Sequence, residues 1–124
     1  THPVLVVDDD PEIRNLVAAV LDLEGYLTLT AGNGAEALWA IKRERPACML
    51  LDMRMPVMNG WDLAQALHQQ GLDLPIVVMT AARHAQQWCD EIGAAGCLPK
   101  PFELDQLLDT LARACPEQPP HCRI

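Results

Sequence analysis

Val4-Leu5-Val6-Val7-Asp8-Asp9-Asp10-Pro11-Glu12-Ile13 changes character in the middle. Four unbroken apolar residues read as a strand buried on both faces. After three aspartates the apolar positions recur as Ile13, Leu16, Val17, Val20 and Leu21, the spacing of one helix face. Asp10 suits an N-cap, Pro11 the first helical position, and Gly25 the stop. The stretch is therefore a strand joined to a helix through an acidic turn. A strand apolar on both faces belongs to a parallel sheet covered by helices on both sides.

The alternation continues to the end of the chain. Tyr26 to Ala31 reads as a second strand. Asn33-Gly34-Ala35-Glu36 resembles a capping box, opening a helix with Ala37, Leu38 and Ile41 inward. Cys48-Met49-Leu50-Leu51 is a third strand. A loop through Pro56 and Gly60 leads to a helix with Leu63, Ala64 and Leu67 inward, stopped near Gly71. Ile76-Val77-Val78-Met79 is a fourth strand, and Ala85, Trp88, Cys89 and Ile92 mark the helix after it. A short strand near Gly96-Cys97-Leu98 and a helix with Leu104, Leu107, Leu108 and Leu111 complete the series. Right-handed crossovers between such strands make a doubly wound α/β fold, with five parallel strands and five helices. At 124 residues the chain fits one domain. We divide it into a domain over 1–114 and a Pro-rich tail over 115–124, which suits a linker and a frayed end equally.

Composition removes several classes of function. The formal net charge is −8 and the nine Lys and Arg are scattered, so no basic stripe for nucleic acid exists. No apolar stretch approaches the roughly 20 residues needed to span a bilayer, and no basic segment leads into a signal-like one. The five cysteines, Cys48, Cys89, Cys97, Cys115 and Cys122, lack paired C-x-x-C spacing, which points away from a thiolate zinc site and toward a reducing cytoplasm. The four histidines form no ligand pattern, although His84 follows closely on Thr80 and could touch an output face. Trp39 and Trp88 fall on apolar helical faces and read as packing residues, Trp61 as partly exposed, and Cys97 as a small buried packer.

In a parallel sheet of this class, ligands collect at the carboxyl ends of the strands. Those ends carry Asp8-Asp9-Asp10, Asp52, Thr80 and Lys100-Pro101. Each alone has a plain explanation: Asp10 as a cap, Asp52 as a turn residue, Thr80 as a strand former, Lys100 as a solvated cation. Brought together on one edge they give several carboxylates, a hydroxyl and an ammonium in one crevice. Crowded carboxylates repel, and either raised pKa values or a bound cation relieves the cost. A hard divalent ion such as Mg²⁺ suits Asp8, Asp9 and Asp52, and typically retains waters and a phosphate oxygen. Asp52 would be the nucleophile that accepts a phosphoryl group, with Lys100 pairing to it.

At Val6-Val7-Asp8-Asp9, Asp52-Met53-Arg54-Met55-Pro56-Val57-Met58-Asn59-Gly60, Met79-Thr80-Ala81 and Lys100-Pro101-Phe102 the chain resembles the receiver domain of bacterial response regulators, chemotaxis regulators included. The resemblance covers nearly all of residues 3–114. It implies the flavodoxin-like strand order 2-1-3-4-5 and Mg²⁺ held by Asp8, Asp9, Asp52 and the main-chain carbonyl of Arg54. It further implies that Asp52 takes the phosphoryl group, that the Thr80 hydroxyl moves to bond it, that Lys100 pairs with it, and that the Lys100-Pro101 peptide is cis. The donor would be a sensor histidine kinase or a phosphotransfer protein. The readout would lie on the fourth helix, fifth strand and fifth helix, acting on an output domain or a downstream protein. Such a domain is a two-component switch rather than an enzyme, catalysing only its own phosphotransfer and autodephosphorylation. Monomer and phosphorylation-dependent homodimer are both open. Many receivers carry Tyr or Phe three residues before the lysine, and this chain has Cys97 there, so an aromatic switch at that place is in question.

Three other functions fit less well. A haloacid-dehalogenase-type phosphatase needs a second Asp two residues after the nucleophile, where Arg54 stands. A flavodoxin-like cofactor binder needs a Ser/Thr/Gly-rich phosphate loop where Asp8-Asp9-Asp10 would repel phosphate. A degenerate docking receiver would lack some of the site residues, and all are present.

Overall fold

The computed structural model describes residues 2–116, so His121, Cys122 and most of the tail segment lie outside the described residues. Five strands alternate with five helices: β1 (Val4–Val7), α1 (Pro11–Leu23), β2 (Thr28–Ala31), α2 (Gly34–Arg43), β3 (Cys48–Asp52), α3 (Gly60–Gln69), β4 (Ile76–Ala81), α4 (Ala82–Ile92), β5 (Gly96–Lys100) and α5 (Leu104–Ala114). The strands form one parallel sheet in the order β2-β1-β3-β4-β5. Fold class, strand order and helix count are those expected from the sequence.

The pleat divides the apolar runs between two cores. Leu5, Val7, Met49, Leu51 and Val78 point to one face, where Ala37 and Ile41 of α2, Leu63 and Leu67 of α3, and Trp88 and Cys89 of α4 cover them. Val4, Val6, Cys48, Leu50, Val77, Met79 and Leu98 point to the other, under Val17 and Leu21 of α1 and Leu107 and Leu111 of α5. Each fully buried Leu or Val contributes roughly 1.5–3 kcal/mol by leaving water. Cys115, at the head of the tail segment, is buried in the second core.

Local chemistry sets the boundaries. Asp10 caps α1 by accepting from the Glu12 N–H at 2.9 Å, with Pro11 at the first position; such a cap stabilises a helix by about 1 kcal/mol. Asn33 caps α2 through the Glu36 N–H, but the Glu36 carboxylate accepts from Gly32 rather than closing the box on Asn33. The second strand begins at Thr28, not Tyr26, because the Tyr26 N–H is spent on the Leu21 carbonyl as α1 winds off through Gly25 at φ 93. Three packing assignments change. Trp39 is 62% exposed and carries the Arg43 guanidinium 4.6 Å from its ring centre, Leu16 is 60% exposed and Leu104 49%. Trp39 lies two residues from both Ala37 and Ile41, on the far side of α2 from its buried face, whereas for Leu16 and Leu104 spacing alone does not separate the edge of an apolar stripe from its centre.

Candidate functional site

Parallel pairing lines up the strand ends. Val7 lies opposite Leu51, Asp52 opposite Met79, and Ala81 opposite Lys100. Residues 8, 52, 80 and 100 therefore meet at one edge of the sheet. Oxygens of Asp8, Asp9 and Asp52 all lie within 4.8 Å of one another.

Asp8 is wholly buried, so its charge has to be met within the protein. One of its oxygens accepts from the Asp10 N–H at 2.9 Å and the other from the Lys100 ammonium at 2.8 Å. The ammonium also stands 3.9 Å from Asp52. Asp52 is buried too and takes a 3.4 Å contact from the Arg54 N–H. Burial pushes the Asp52 carboxyl up to about 7; Lys100 opposes that rise, Asp8 adds to it, the Arg54 N–H opposes it and Asp9 adds to it. A carboxyl raised that far, with two more carboxylates beside it, fits a site completed by a hard divalent ion. Asp9 is exposed and leaves this cluster open to solvent.

Beside Asp52 opens a cleft of about 370 Å³ lined by Arg54, Thr80, Arg83, His84, Trp88 and Lys100, among others. Thr80 is buried on β4, and Lys100 ends β5 at a cis peptide to Pro101. The sequence-predicted residues thus converge on one crevice, and the cis peptide stands where it was expected. Trp88 is buried, as its spacing predicted, and is also a stacking surface. The His84 ring lies parallel to it at 4.5 Å, Arg54 sits 5.2 Å from its centre, and Trp61 meets it edge-on at 4.9 Å while bonding Glu91. Cys97 is half-buried rather than fully enclosed.

Several contributors were not evident in the sequence. Arg14 donates to the Asp8 main-chain carbonyl at 2.9 Å and so pins the turn that presents the acidic pair. Its place four residues after the cap was the only signal. Gly60 and Gly34 allow close approach: a Cβ on Gly60 would stand 2.8 Å from Met53 Cα, and one on Gly34 2.5 Å from the Met58 carbonyl oxygen. These contacts fasten the loop after Asp52 to α2 and α3. Within that loop Val57, a β-branched residue, sits at φ 71, a conformation held only when the surroundings enforce it.

A model of the response regulator receiver domain matches residues 4–112. The sporulation initiation phosphotransferase F of Bacillus subtilis is 35% identical over 115 residues, covering 91% of this chain and 93% of the relative. The sensor histidine kinase RcsC of Salmonella typhi is 43% identical over 111 residues, covering 88% of this chain but 12% of the kinase, so the chain spans only a small part of that relative. Among solved structures, the response regulator protein TrrA of Thermotoga maritima, in complex with Mg²⁺–BeF, superposes with TM-score 0.81 at 30% identity, covering 92% of this chain and 99% of that one. No described helix is long and apolar enough to cross a membrane.

Proposed function

The chain belongs to the response regulator receiver domain family, and on that premise we propose that it works in the cytoplasm as a phosphorylation-dependent switch, accepting its phosphoryl group on Asp52. The observation that carries this reading is the meeting of Asp8, Asp9 and Asp52 within 4.8 Å, with Lys100 2.8 Å from Asp8 and 3.9 Å from Asp52. Asp8, Asp9 and Asp52, with the Arg54 main-chain carbonyl, would hold one Mg²⁺, whose charge offsets that on the transferred oxygens. An Asp52 oxygen bonds to phosphorus as the bond from phosphorus to a donor imidazole nitrogen breaks, and the imidazole leaves. The acyl phosphate then returns the chain to rest by hydrolysis, with no external substrate turned over.

Phosphorylation adds about −1.5 to −2 of charge. Lys100 gains a partner on the phosphoryl group in exchange for its contact with Asp8, and the Thr80 hydroxyl gains an acceptor. An arrangement favoured only in the charged state becomes more populated. Because Lys100 ends β5 and Thr80 lies on β4 just before α4, the change is delivered to α4, β5 and α5. The donor is a sensor histidine kinase or phosphotransfer protein, and the recipient an output domain or a separate downstream protein.

Amide hydrogen exchange with Mg²⁺ and beryllium fluoride, a phosphoryl mimic, tests the switch. Altered protection in α4, β5 and α5, absent in Asp52→Asn, is expected. A response confined to the loops around Asp52 would contradict a switch on that face.

A further inference from the structure

Cys89 lies on α4 and Cys97 on β5, and both carry free thiols. The Cys89 thiol donates to the Gly96 carbonyl at 3.4 Å, which places its sulfur against the peptide that leads into Cys97. Cys97 is also a direct influence on the Cys89 thiol, which its presence helps to hold protonated. They share the core face of the sheet covered by α2, α3 and α4, whereas Cys48 and Cys115 lie in the core on the opposite face. Cys97 is half-buried and reachable from solvent; Cys89 is 5% exposed.

We propose that Cys89 and Cys97 are a redox pair which a hydroperoxide closes into a disulfide, tying α4 to β5. In the first step the Cys97 sulfur attacks the distal peroxide oxygen. An S–O bond forms, the O–O bond breaks, and the departing oxygen leaves as alcohol, or as water if the oxidant is hydrogen peroxide. In the second the Cys89 sulfur attacks the Cys97 sulfur, an S–S bond forms, the S–O bond breaks, and hydroxide leaves with the Cys89 proton as water. Two thiols and one hydroperoxide thus give a disulfide, an alcohol and a water, and a dithiol reverses the change. The order follows from access. Cys97 is half-buried and meets the oxidant, whereas Cys89, 5% exposed, is reached only by the oxidised Cys97 beside it and gives up its proton as it attacks. The bond would clamp the two elements through which the phosphorylation signal is read, and this consequence rests on the function proposed above. Formation of the bond does not.

The experiment treats the unphosphorylated full chain with hydrogen peroxide, then iodoacetamide and trypsin. No Lys or Arg separates the two cysteines, so both fall in one tryptic segment without Cys115. That segment is expected to lose two hydrogens and both alkylation sites, to recover them with dithiothreitol, and to show no such loss in Cys97→Ser. Alkylation of both cysteines after oxidation, or Cys97 passing to sulfinic acid beside an unreacted Cys89, would overturn the pair. Exchange with Mg²⁺ and beryllium fluoride is then measured on the oxidised and reduced chain. Loss of the α4 response on oxidation, restored by dithiothreitol, is expected, and an α4 response that persists in the disulfide form would overturn the clamp. No response even in the reduced chain would instead count against the proposed switch.

Discussion

Replacing Asp52 with Asn should stabilise the metal-free chain, and by an amount that depends on pH. The Asp52 carboxyl is pushed up to about 7 in the fold, against an ordinary value near 3.9 in an unfolded chain. The folded protein therefore holds its proton where the unfolded chain has lost it. Stability falls as pH rises from about 4 to about 7, and the loss is complete above that window. A gap of about three pKa units corresponds to about 4 kcal/mol at pH 8.5, and to less than about 1 kcal/mol near pH 4. Asn keeps the size of the side chain and can still accept from the Arg54 N–H, so the variant removes the charge with little change of shape. Urea unfolding at pH 4 and pH 8.5, with a chelator present, reads the difference. A gain of the same size at both values, or a loss at pH 8.5, would refute the account of crowded carboxylates. Adding Mg²⁺ at pH 8.5 should close most of the gap by stabilising the wild type alone.

Lys100→Met leaves the wholly buried Asp8 without its 2.8 Å ammonium; a loss of about 2–4 kcal/mol at neutral pH is expected, with the Asp52 midpoint moved further up in a carboxyl NMR titration, and an unchanged midpoint would count against the contact. Gly60→Ala forces a Cβ to within 2.8 Å of Met53 Cα, so thermal unfolding should show a loss of about 1–3 kcal/mol together with weaker Mg²⁺ binding. Val57→Gly relieves the φ 71 backbone at an 84% exposed position, and a gain of about 1 kcal/mol is expected in urea unfolding.

The fold was legible because its signals are local and agree with one another. Val4–Val7, Cys48–Leu51 and Ile76–Met79 are too apolar for anything but central parallel strands, and Asp10, Pro11 and Asn33 mark where helices begin. The acidic pair, Asp52, Thr80 and Lys100 were legible because parallel pairing converts strand ends into neighbours. What escaped depends on contacts between segments far apart in the chain. Arg14 shows in sequence only its place four residues after the cap, from which the reach of its guanidinium back to the Asp8 carbonyl does not follow. Asn59-Gly60 advertises a turn, yet the residue with positive φ is Val57, because the loop is held by Gly34 and Gly60 at its two ends. Leu16 shares the helical spacing of the core residues Val17 and Leu21 and is exposed, since a stripe in sequence has no inherent depth, whereas Trp39 is apolar in type but falls on the far side of α2 from Ala37 and Ile41.

The most direct measurement is the intact mass of the protein after incubation with Mg²⁺ and acetyl phosphate, alongside Asp52→Asn and a chelated control, read quickly in acid where the acyl phosphate survives. The account predicts one added phosphoryl group that requires both Asp52 and the metal. Equal labelling of Asp52→Asn, or no labelling of a folded, Mg²⁺-bound wild type, would contradict it.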